Sequence, residues 1–241
     1  NKIIKFKNLY ESAEKEYLTG NELCALQLLN NALSLGCTFP QRDIAEAYQL
    51  RGWVNYTLDD FEKSLDDINE SIYLNPKDDK SFYLIGLIET HNINYKEALN
   101  NFDIAIKLNS KESYYFLRRG ESKYFLNQEE EAIKDFNKAI ELDPDNPNAW
   151  DFRGRSKYFL NQEEEAIKDF NKAIELDPDN PNAWDFRGRS KYFLNQYEEA
   201  IKDFDKAIEL NPEESYYFFV RGASKYFLNQ YEEAIKDIDE A

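Results

Sequence analysis

The chain has 241 residues and a formal net charge of −17, from 47 acidic and 30 basic side chains. This charge argues against binding to nucleic acid or to an anionic membrane surface, because both need patches of Lys and Arg. Hydrophobic residues make up 42% of the chain and aromatic residues 15%, which is enough to fill a folded core. We recognise no signal peptide and no membrane-spanning stretch.

The two cysteines are predicted to be free thiols. Cys24 lies within a predicted helix and Cys37 beyond its end, and the mostly helical residues between them separate the two sulfurs beyond disulfide reach. Free thiols are typical of a reducing compartment, so we expect a cytoplasmic protein. Because the chain starts at Asn1 and contains no methionine, removal of an export signal from a longer precursor stays open as the alternative.

A period of 34 residues divides the chain from residue 6 onward. The segment Ser122–Gln162 recurs without change as Ser156–Gln196. Folding does not preserve surface positions in this way, so the identity indicates a recent duplication. Glycines follow the period at Gly52, Gly86, Gly120, Gly154, Gly188 and Gly222. The predicted repeats are 6–39, 45–78, 79–112, 113–146, 147–180, 181–214 and the incomplete 215–241, in a single domain over 1–241.

The first part of the chain diverges from the other repeats. Residues 1–5 are predicted to be a short lead that precedes repeat one. A short insertion around residues 39–43 precedes repeat two, and we expect it to form a longer loop in which Asp43 is available to cap the next helix.

Repeat three departs from the pattern at its turn. Ile93 stands where the neighbouring repeats have Asn or Asp, and it is flanked by Asn92 and Asn94. A β-branched residue is disfavoured in the left-handed backbone conformation that ends a helix. We therefore expect Asn92 or Asn94 to adopt that conformation, with a small local shift of register.

Each repeat is predicted to be two antiparallel helices, helix A and helix B. In repeat five the first half carries Trp150 and Gly154 at helical spacing. Asn161 ends helix A because Asn tolerates the left-handed conformation, and Pro178 ends helix B because proline cannot continue a helix. Helix B carries an apolar stripe, which consists of Ala166, Ile167, Phe170, Ala173 and Ile174.

These residues resemble the tetratricopeptide repeat, whose units of 34 residues have an aromatic at position 4, Gly at 8, small residues at 20 and 27, an aromatic at 24 and Pro at 32. In repeat five these positions hold Trp150, Gly154, Ala166, Ala173, Phe170 and Pro178. The resemblance covers nearly the whole chain. It implies an all-α fold, a right-handed superhelical solenoid of antiparallel helix pairs with about seven repeats. It also implies peptide or protein binding in a concave groove, without catalysis.

The last repeat reaches Ala241 at its position 27. The family normally closes with a polar capping helix, so Phe227, Leu228 and Ile235 are expected to lack a neighbour. We expect either a further tail, disordered or removed, or an end-to-end contact between copies of the chain.

The sequence offers no catalytic or metal-binding constellation. The single histidine, His91, has no nucleophile or metal ligand at a recognisable spacing. The turn at residues 177–180 lacks the twelve-residue loop, the Gly and the final Glu of a calcium site. Glycines occur singly, so no phosphate-binding loop is formed. We therefore expect neither an enzyme nor a cofactor.

The candidate ligand site is a stripe on helix A. Positions 2, 5, 9 and 12 lie opposite the face that packs on helix B, and in the family this stripe lines the concave groove. Tyrosine recurs at position 12 and suits peptide recognition. The alternative, that these rings only pack on neighbouring helices, stays open. The candidate groove residues are Trp53, Tyr56, Tyr83, Tyr124, Asn148, Asp151, Arg155, Tyr158, Asn182, Asp185, Arg189, Tyr192 and Tyr226.

A second set of charges is predicted to be structural. Five repeats have Arg at position 7 and Asp at position 23, and the two repeats that lack this Arg also lack the Asp. We predict a partly buried ion pair between helices A and B of each of the five; the alternative is that both charges point into solvent. The pairs are Arg51–Asp67, Arg119–Asp135, Arg153–Asp169, Arg187–Asp203 and Arg221–Asp237.

The predicted function is that of a non-catalytic scaffold, which binds a segment of an unidentified protein or peptide in the groove. The identical neighbouring sites of repeats five and six favour an extended or repetitive ligand. The alternative is a structural array that oligomerises through its ends.

Overall fold

The computed structural model describes residues 2–36 and 39–241. Within these residues the fold is all-α, with fourteen helices and no strand. The chain divides into two compact blocks, an N-terminal block over Asn1–Lys111 and a C-terminal block over Glu112–Ala241. The arrangement as one domain over 1–241 stays a prediction.

Consecutive helices pack in pairs within each block, one pair to a repeat. The N-terminal block contains α1 (Lys2–Leu18), α2 (Glu22–Leu33), α3 (Gln41–Thr57), α4 (Phe61–Leu74), α5 (Asp79–His91) and α6 (Tyr95–Leu108). The C-terminal block contains α7 (Ser113–Phe125), α8 (Glu129–Leu142), α9 (Pro147–Phe159), α10 (Glu163–Leu176), α11 (Pro181–Phe193), α12 (Tyr197–Leu210), α13 (Ser215–Phe227) and α14 (Tyr231–Glu240).

Small residues bring the two helices of a repeat into contact. A Cβ atom added to Gly154 would lie 2.7 Å from Cε1 of Phe170, whose side chain is fully buried. The ring has no room to move away, so the glycine at position 8 and the aromatic at position 24 depend on each other. The same contact recurs at the pairs Gly86–Phe102, Gly120–Phe136 and Gly188–Phe204.

Of the predictions for the start of the chain, the capping role of Asp43 is wrong. Helix α1 already begins at Lys2, whose Nζ donates a hydrogen bond to the carbonyl oxygen of Leu35, so residues 2–5 are helical. The connection from Leu33 of α2 to Gln41 of α3 is longer than the connections between later repeats, as expected, but residues 41–43 belong to α3. Asp43 does not cap α3 but lies within its first turn. The helix dipole favours a negative charge at this position. Cys24 is a free thiol, whereas Cys37 lies outside the described residues.

The turn of repeat three also differs from its prediction. Ile93 itself has a positive φ of 63°, and the equivalent Asn161 has a φ of 55°. The Asn94 amide donates to the Glu89 carbonyl at 2.8 Å, as the Gln162 amide does to the Lys157 carbonyl at 3.0 Å. The packing of both helices therefore fixes the register of the turn, and the isoleucine takes the left-handed conformation despite its side chain.

Replacing Ile93 by asparagine is expected to raise the free energy of unfolding by about 1 kcal/mol, because a β-branched residue is strained in this conformation. The Ile93 side chain is 72% exposed, so the change removes little packing. Urea unfolding of the full chain measures the difference. Asn127→Ile, at the same place in repeat four, is the reciprocal control and should lower stability by a similar amount; equal stability of all three proteins would contradict the prediction.

Candidate functional site

The structure places the Arg and Asp side chains of the second charge set in direct contact. In each of the five repeats, Nη2 of the arginine lies 2.5 or 2.6 Å from Oδ1 of the aspartate. The arginine Nε also donates to Oδ2, at 2.8 Å from Arg153 to Asp169. The aspartates are between 2% and 4% exposed. The contact is therefore a buried, bidentate ion pair between helices A and B.

Further partners of these pairs were not predicted from the sequence. Lys157 at position 11 places Nζ 2.7 Å from Oδ2 of Asp169, and lysines of repeats four, six and seven do the same. Arg153 Nη1 donates to Oδ1 of Asn137 in the preceding repeat at 2.7 Å. In the sequence, the recurrence of Lys at position 11 and of Asn or Asp at position 25 could have indicated these contacts. These charges join helices within and between repeats, so they are poor candidates for ligand contacts.

Burial by itself would raise the pKa of Asp237, the aspartate of repeat seven. Hydrogen bonds from Arg221 and Lys225 outweigh this effect and hold the pKa below its usual range.

The candidate ligand site in the C-terminal block is the face formed by positions 2, 5, 9 and 12 of α7, α9, α11 and α13, here called the A-helix face. Neighbouring helices of this set contact each other. Helix α9 starts at Pro147, and Oδ1 of Asn146 accepts a hydrogen bond from the Asn148 amide at 3.1 Å. The same cap recurs at Asn180 and Asn182 of α11. These caps place the Asn148 and Asn182 side chains at the exposed start of the face.

Repeat five contributes a buried ion pair to this face. Arg155 Nη2 lies 2.5 Å from Oδ2 of Asp151, which is only 1% exposed. The Arg155 guanidinium also stacks at 5.0 Å from the Phe152 ring and 4.9 Å from the Phe186 ring. Burial raises the pKa of Asp151, although Arg155 opposes the shift. Oδ1 of Asp151 and Nε of Arg155 have no hydrogen-bond partner.

The pair in repeat six has the same sequence but a looser geometry. Arg189 Nη1 is 3.6 Å from Oδ2 of Asp185, and Nη2 donates to the Tyr158 hydroxyl at 3.0 Å. The guanidinium stacks at 4.6 Å from Phe186 and 5.3 Å from Tyr216. Burial raises the pKa of Asp185 to about 6, with only partial opposition from Arg189.

The tyrosines at position 12 form part of an aromatic row along the A-helix face. Tyr124, Tyr158 and Tyr192 are half-buried, and Tyr226 is 58% exposed. Each of the first three packs on the position-13 phenylalanine of the next repeat, at ring distances of 5.8 or 5.9 Å. The phenylalanines were missed by the sequence reasoning, although the Tyr-Phe pair recurs at the end of each of these helices. They are about half exposed: Phe125, Phe159, Phe193 and Phe227.

The three candidate residues of the N-terminal block also lie together. The Trp53 ring is 5.9 Å from Tyr56 and 6.0 Å from Tyr83. Tyr83 is 8% exposed and packs 5.8 Å from Phe102. It therefore offers little surface to a ligand, whereas Trp53 and Tyr56 are half-buried.

A pocket of about 140 Å³ lies on the A-helix face where repeats six and seven meet. Repeat seven has Phe219 and Ala223 at positions 5 and 9, where repeat six has Asp185 and Arg189. The small alanine leaves the space that an arginine fills one repeat earlier. The pocket is lined by Tyr158, Arg189, Tyr192, Phe193, Phe204, Tyr216, Phe219, Val220 and Ala223.

Among the described residues, no three His, Cys, Asp or Glu side chains are grouped as a metal site. His91 packs against Phe61 with its ring 4.3 Å away. None of the helices in the described ranges combines the length and apolar character that a bilayer crossing requires.

Family models match four segments of the chain. Residues 120–151 and 154–185 match a model described as "TPR repeat". Residues 181–214 and 45–78 match models described as "Tetratricopeptide repeat". Together these matches cover more than half of the chain. No curated protein gives a significant sequence match.

Solved structures with the same fold include YrrB, described as a TPR protein with an unusual peptide-binding site, at a TM-score of 0.65 and 21% identity over 73% of this chain and 91% of YrrB. A tetratricopeptide repeat protein from Parabacteroides merdae has a TM-score of 0.70 and 17% identity, over 97% of this chain and 90% of the other. The APC/C hetero-tetramer Cut9-Hcn1 has a TM-score of 0.69 and 16% identity, over 98% of this chain and 44% of the other. At these identities the similarity concerns the fold.

Proposed function

The chain belongs to the tetratricopeptide repeat family, and from this we propose that it binds an extended segment of another protein along the A-helix face of the C-terminal block. The repeats and the similar folds support a protein-interaction scaffold. We propose that such binding is the whole of its activity, without a catalytic step.

The observation that carries the proposal is the composition of the A-helix face. Exposed amides of Asn148 and Asn182 lie at its edge, and partly exposed aromatic rings follow along it. Amides donate and accept hydrogen bonds, as a peptide backbone requires. Aromatic rings supply contact area at low entropic cost, and they are typical of residues that dominate binding. Both types recur with the period of the repeats, which suits a ligand that runs across several repeats.

The expected partner is a protein or peptide. The net charge of −17 opposes nucleic acid and anionic membranes. Because the chain carries this excess of acidic residues, a ligand segment with a net positive charge should associate faster at low ionic strength.

A random dodecapeptide library displayed on phage and selected on the immobilised full chain is expected to yield binders of this face. The double variant Asn148→Ala/Asn182→Ala should weaken the binding of a selected peptide about tenfold or more, because two hydrogen-bonding groups are removed. Fluorescence anisotropy of the labelled peptide measures Kd.

The matched control is Glu141→Ala/Glu175→Ala, which changes equivalent exposed positions on the B helices of repeats four and five. This control should leave Kd within about twofold of the wild-type value. Equal weakening by the two double variants, or a library without binders, would argue against the A-helix face as the site.

Self-association is the rival function. Apolar side chains of α14, Tyr231, Ile235 and Ile238, are between 50% and 59% exposed, and such residues can pack on a second copy of the chain. Light scattering separates the two functions, since assembly predicts a mass that rises with concentration and peptide binding predicts a constant mass.

A further inference from the structure

We propose that the pocket at the junction of repeats six and seven holds one apolar side chain of the bound segment, of leucine or phenylalanine size, and that Arg189 in its wall binds a carboxylate next to that side chain. The inference rests on the proposed function, because it names the part of the ligand that anchors to the A-helix face.

The size of the pocket limits what it accepts. Its volume of about 140 Å³ is well below the several hundred Å³ of sites for drug-sized ligands and cofactors. It is large enough for a single apolar side chain, as is known for apolar cavities of about this volume that hold a benzene ring. The pocket therefore fits one residue of a longer ligand rather than a small-molecule cofactor.

The walls of the pocket are apolar and only partly covered. Tyr216 is 41% exposed, Phe219 is 51% exposed and Phe193 is 57% exposed. Val220 and Ala223 supply aliphatic surface between these rings. Partly exposed aromatic rings around a concave space favour an apolar group, because its entry removes both surfaces from water.

Arg189 determines the charge that is accepted beside this group. A cationic side chain would suit a cage of aromatic rings, but the guanidinium in the wall repels it. Arg155, with the same local sequence, is 2.5 Å from its aspartate, whereas Arg189 is 3.6 Å from Asp185. The longer distance leaves the charge of Arg189 less neutralised and more available to a ligand carboxylate.

The carboxylate belongs either to an acidic side chain or to the C-terminus of the ligand. Both sources present the same group, so a blocked amino acid with a free carboxylate is an adequate first probe. N-acetyl-L-phenylalanine is such a probe, with N-acetyl-L-phenylalanine amide to remove the charge and N-acetylglycine to remove the apolar side chain.

The test is a titration of the full chain, labelled with ¹³C at the methyl groups of valine and alanine and followed by NMR. N-acetyl-L-phenylalanine is expected to shift the methyl signals of Val220 and Ala223 with saturation in the millimolar range. The amide should bind at least threefold more weakly, and N-acetylglycine should produce no saturable shift. Preference for the amide over the acid would overturn the assignment of Arg189.

Three variants and one control locate the interaction. Ala223→Leu fills the pocket and Phe219→Ala removes one wall. Each variant should weaken the binding of the probe at least fivefold, while the circular dichroism of the helices is retained. Arg189→Gln should abolish the preference for the acid over the amide. Lys202→Gln, which removes an exposed positive charge from helix α12 of the same repeat, should preserve it. Unchanged probe binding by Ala223→Leu or by Phe219→Ala would overturn the assignment of the pocket as the binding site of the apolar side chain.

The phage-selected peptide separates the failure of this inference from the failure of the proposed function. If the peptide is sensitive to Asn148→Ala/Asn182→Ala and insensitive to Ala223→Leu, the A-helix face binds the ligand but the pocket is not its anchor, and the inference is wrong. If the peptide is insensitive to all of these changes, the proposed function is wrong as well. A tenfold or greater loss with Ala223→Leu supports both.

Discussion

Asp169→Asn is expected to lower the free energy of unfolding by about 3–5 kcal/mol, because it leaves buried charges without their partner. The Asp169 carboxylate accepts hydrogen bonds from both Arg153 and Lys157. The side chains of these cations are 14% and 17% exposed, so water replaces the lost carboxylate only in part. Urea unfolding of the full chain measures the effect.

Arg153→Gln should lower the free energy of unfolding by less than Asp169→Asn does, because Lys157 still neutralises Asp169. The triple change Arg153→Gln/Lys157→Gln/Asp169→Asn is expected to cost less than Asp169→Asn alone, since it leaves no unpaired buried charge. Additive effects of the single changes would contradict a coupled, buried cluster.

Repeat five also contains the control for this prediction. Lys172 and Glu175 form an ion pair with 2.8 Å between Nζ and Oε1, and their side chains are 33% and 68% exposed. Glu175→Gln should lower the free energy of unfolding by less than about 1 kcal/mol. Asp203→Asn in repeat six removes the equivalent buried carboxylate and should reproduce the loss seen with Asp169→Asn.

Asp185→Asn is expected to change the pH dependence of stability. The pKa of Asp185 is raised from 3.8 to about 6 by burial, which Arg189 opposes only in part. A carboxyl group with a raised pKa favours the folded state below its unfolded pKa, and this contribution is lost as the pH rises through 6. A pKa difference of this size corresponds to roughly 3 kcal/mol. The wild type should therefore lose roughly this much stability relative to Asp185→Asn between pH 3.5 and pH 7.5.

Urea unfolding at several pH values between these limits tests the prediction. Asp179→Asn, which removes the same charge from an exposed position after α10, is the control. The difference between the wild type and Asp179→Asn should vary by less than about 1 kcal/mol over the same range. A pH profile of Asp185→Asn that runs parallel to the wild-type profile would contradict a raised pKa.

The sequence alone determined the repeat and its two helices. In repeats three to six, position 8 holds Gly because the aromatic ring at position 24 occupies the space of a side chain, and this local requirement recurs in the sequence with a visible period. The Arg–Asp contacts were likewise predictable, since the residues at positions 7 and 23 change together from one repeat to another. The partner of a charge that packs between the two helices of one repeat lies in the same repeat. A comparison of repeats detects such a pair as two positions that change together.

The local preferences of single residues were less reliable than the packing of whole helices. Ile93 takes a left-handed conformation that its side chain disfavours, because the helices on both sides fix the turn. Residues 41–43 were predicted as part of a loop, but they form the first turn of α3. In both places the cost of a local preference is smaller than the stabilisation from the packed helices.

Only the tertiary structure distinguished the two identical sites on the A-helix face. Asp151–Arg155 and Asp185–Arg189 share their sequence, yet one pair is closed at 2.5 Å and the other is open at 3.6 Å. The two pairs have different neighbouring repeats on both sides, because repeat four with Glu121 at position 9 precedes the first pair and repeat seven follows the second. A helical array places every side chain against its neighbours as well as within its own repeat. Repeat six is followed by Tyr216, Phe219 and Ala223 rather than by a second copy of itself. The pocket arises at this junction, and no single repeat contains the residues that form it.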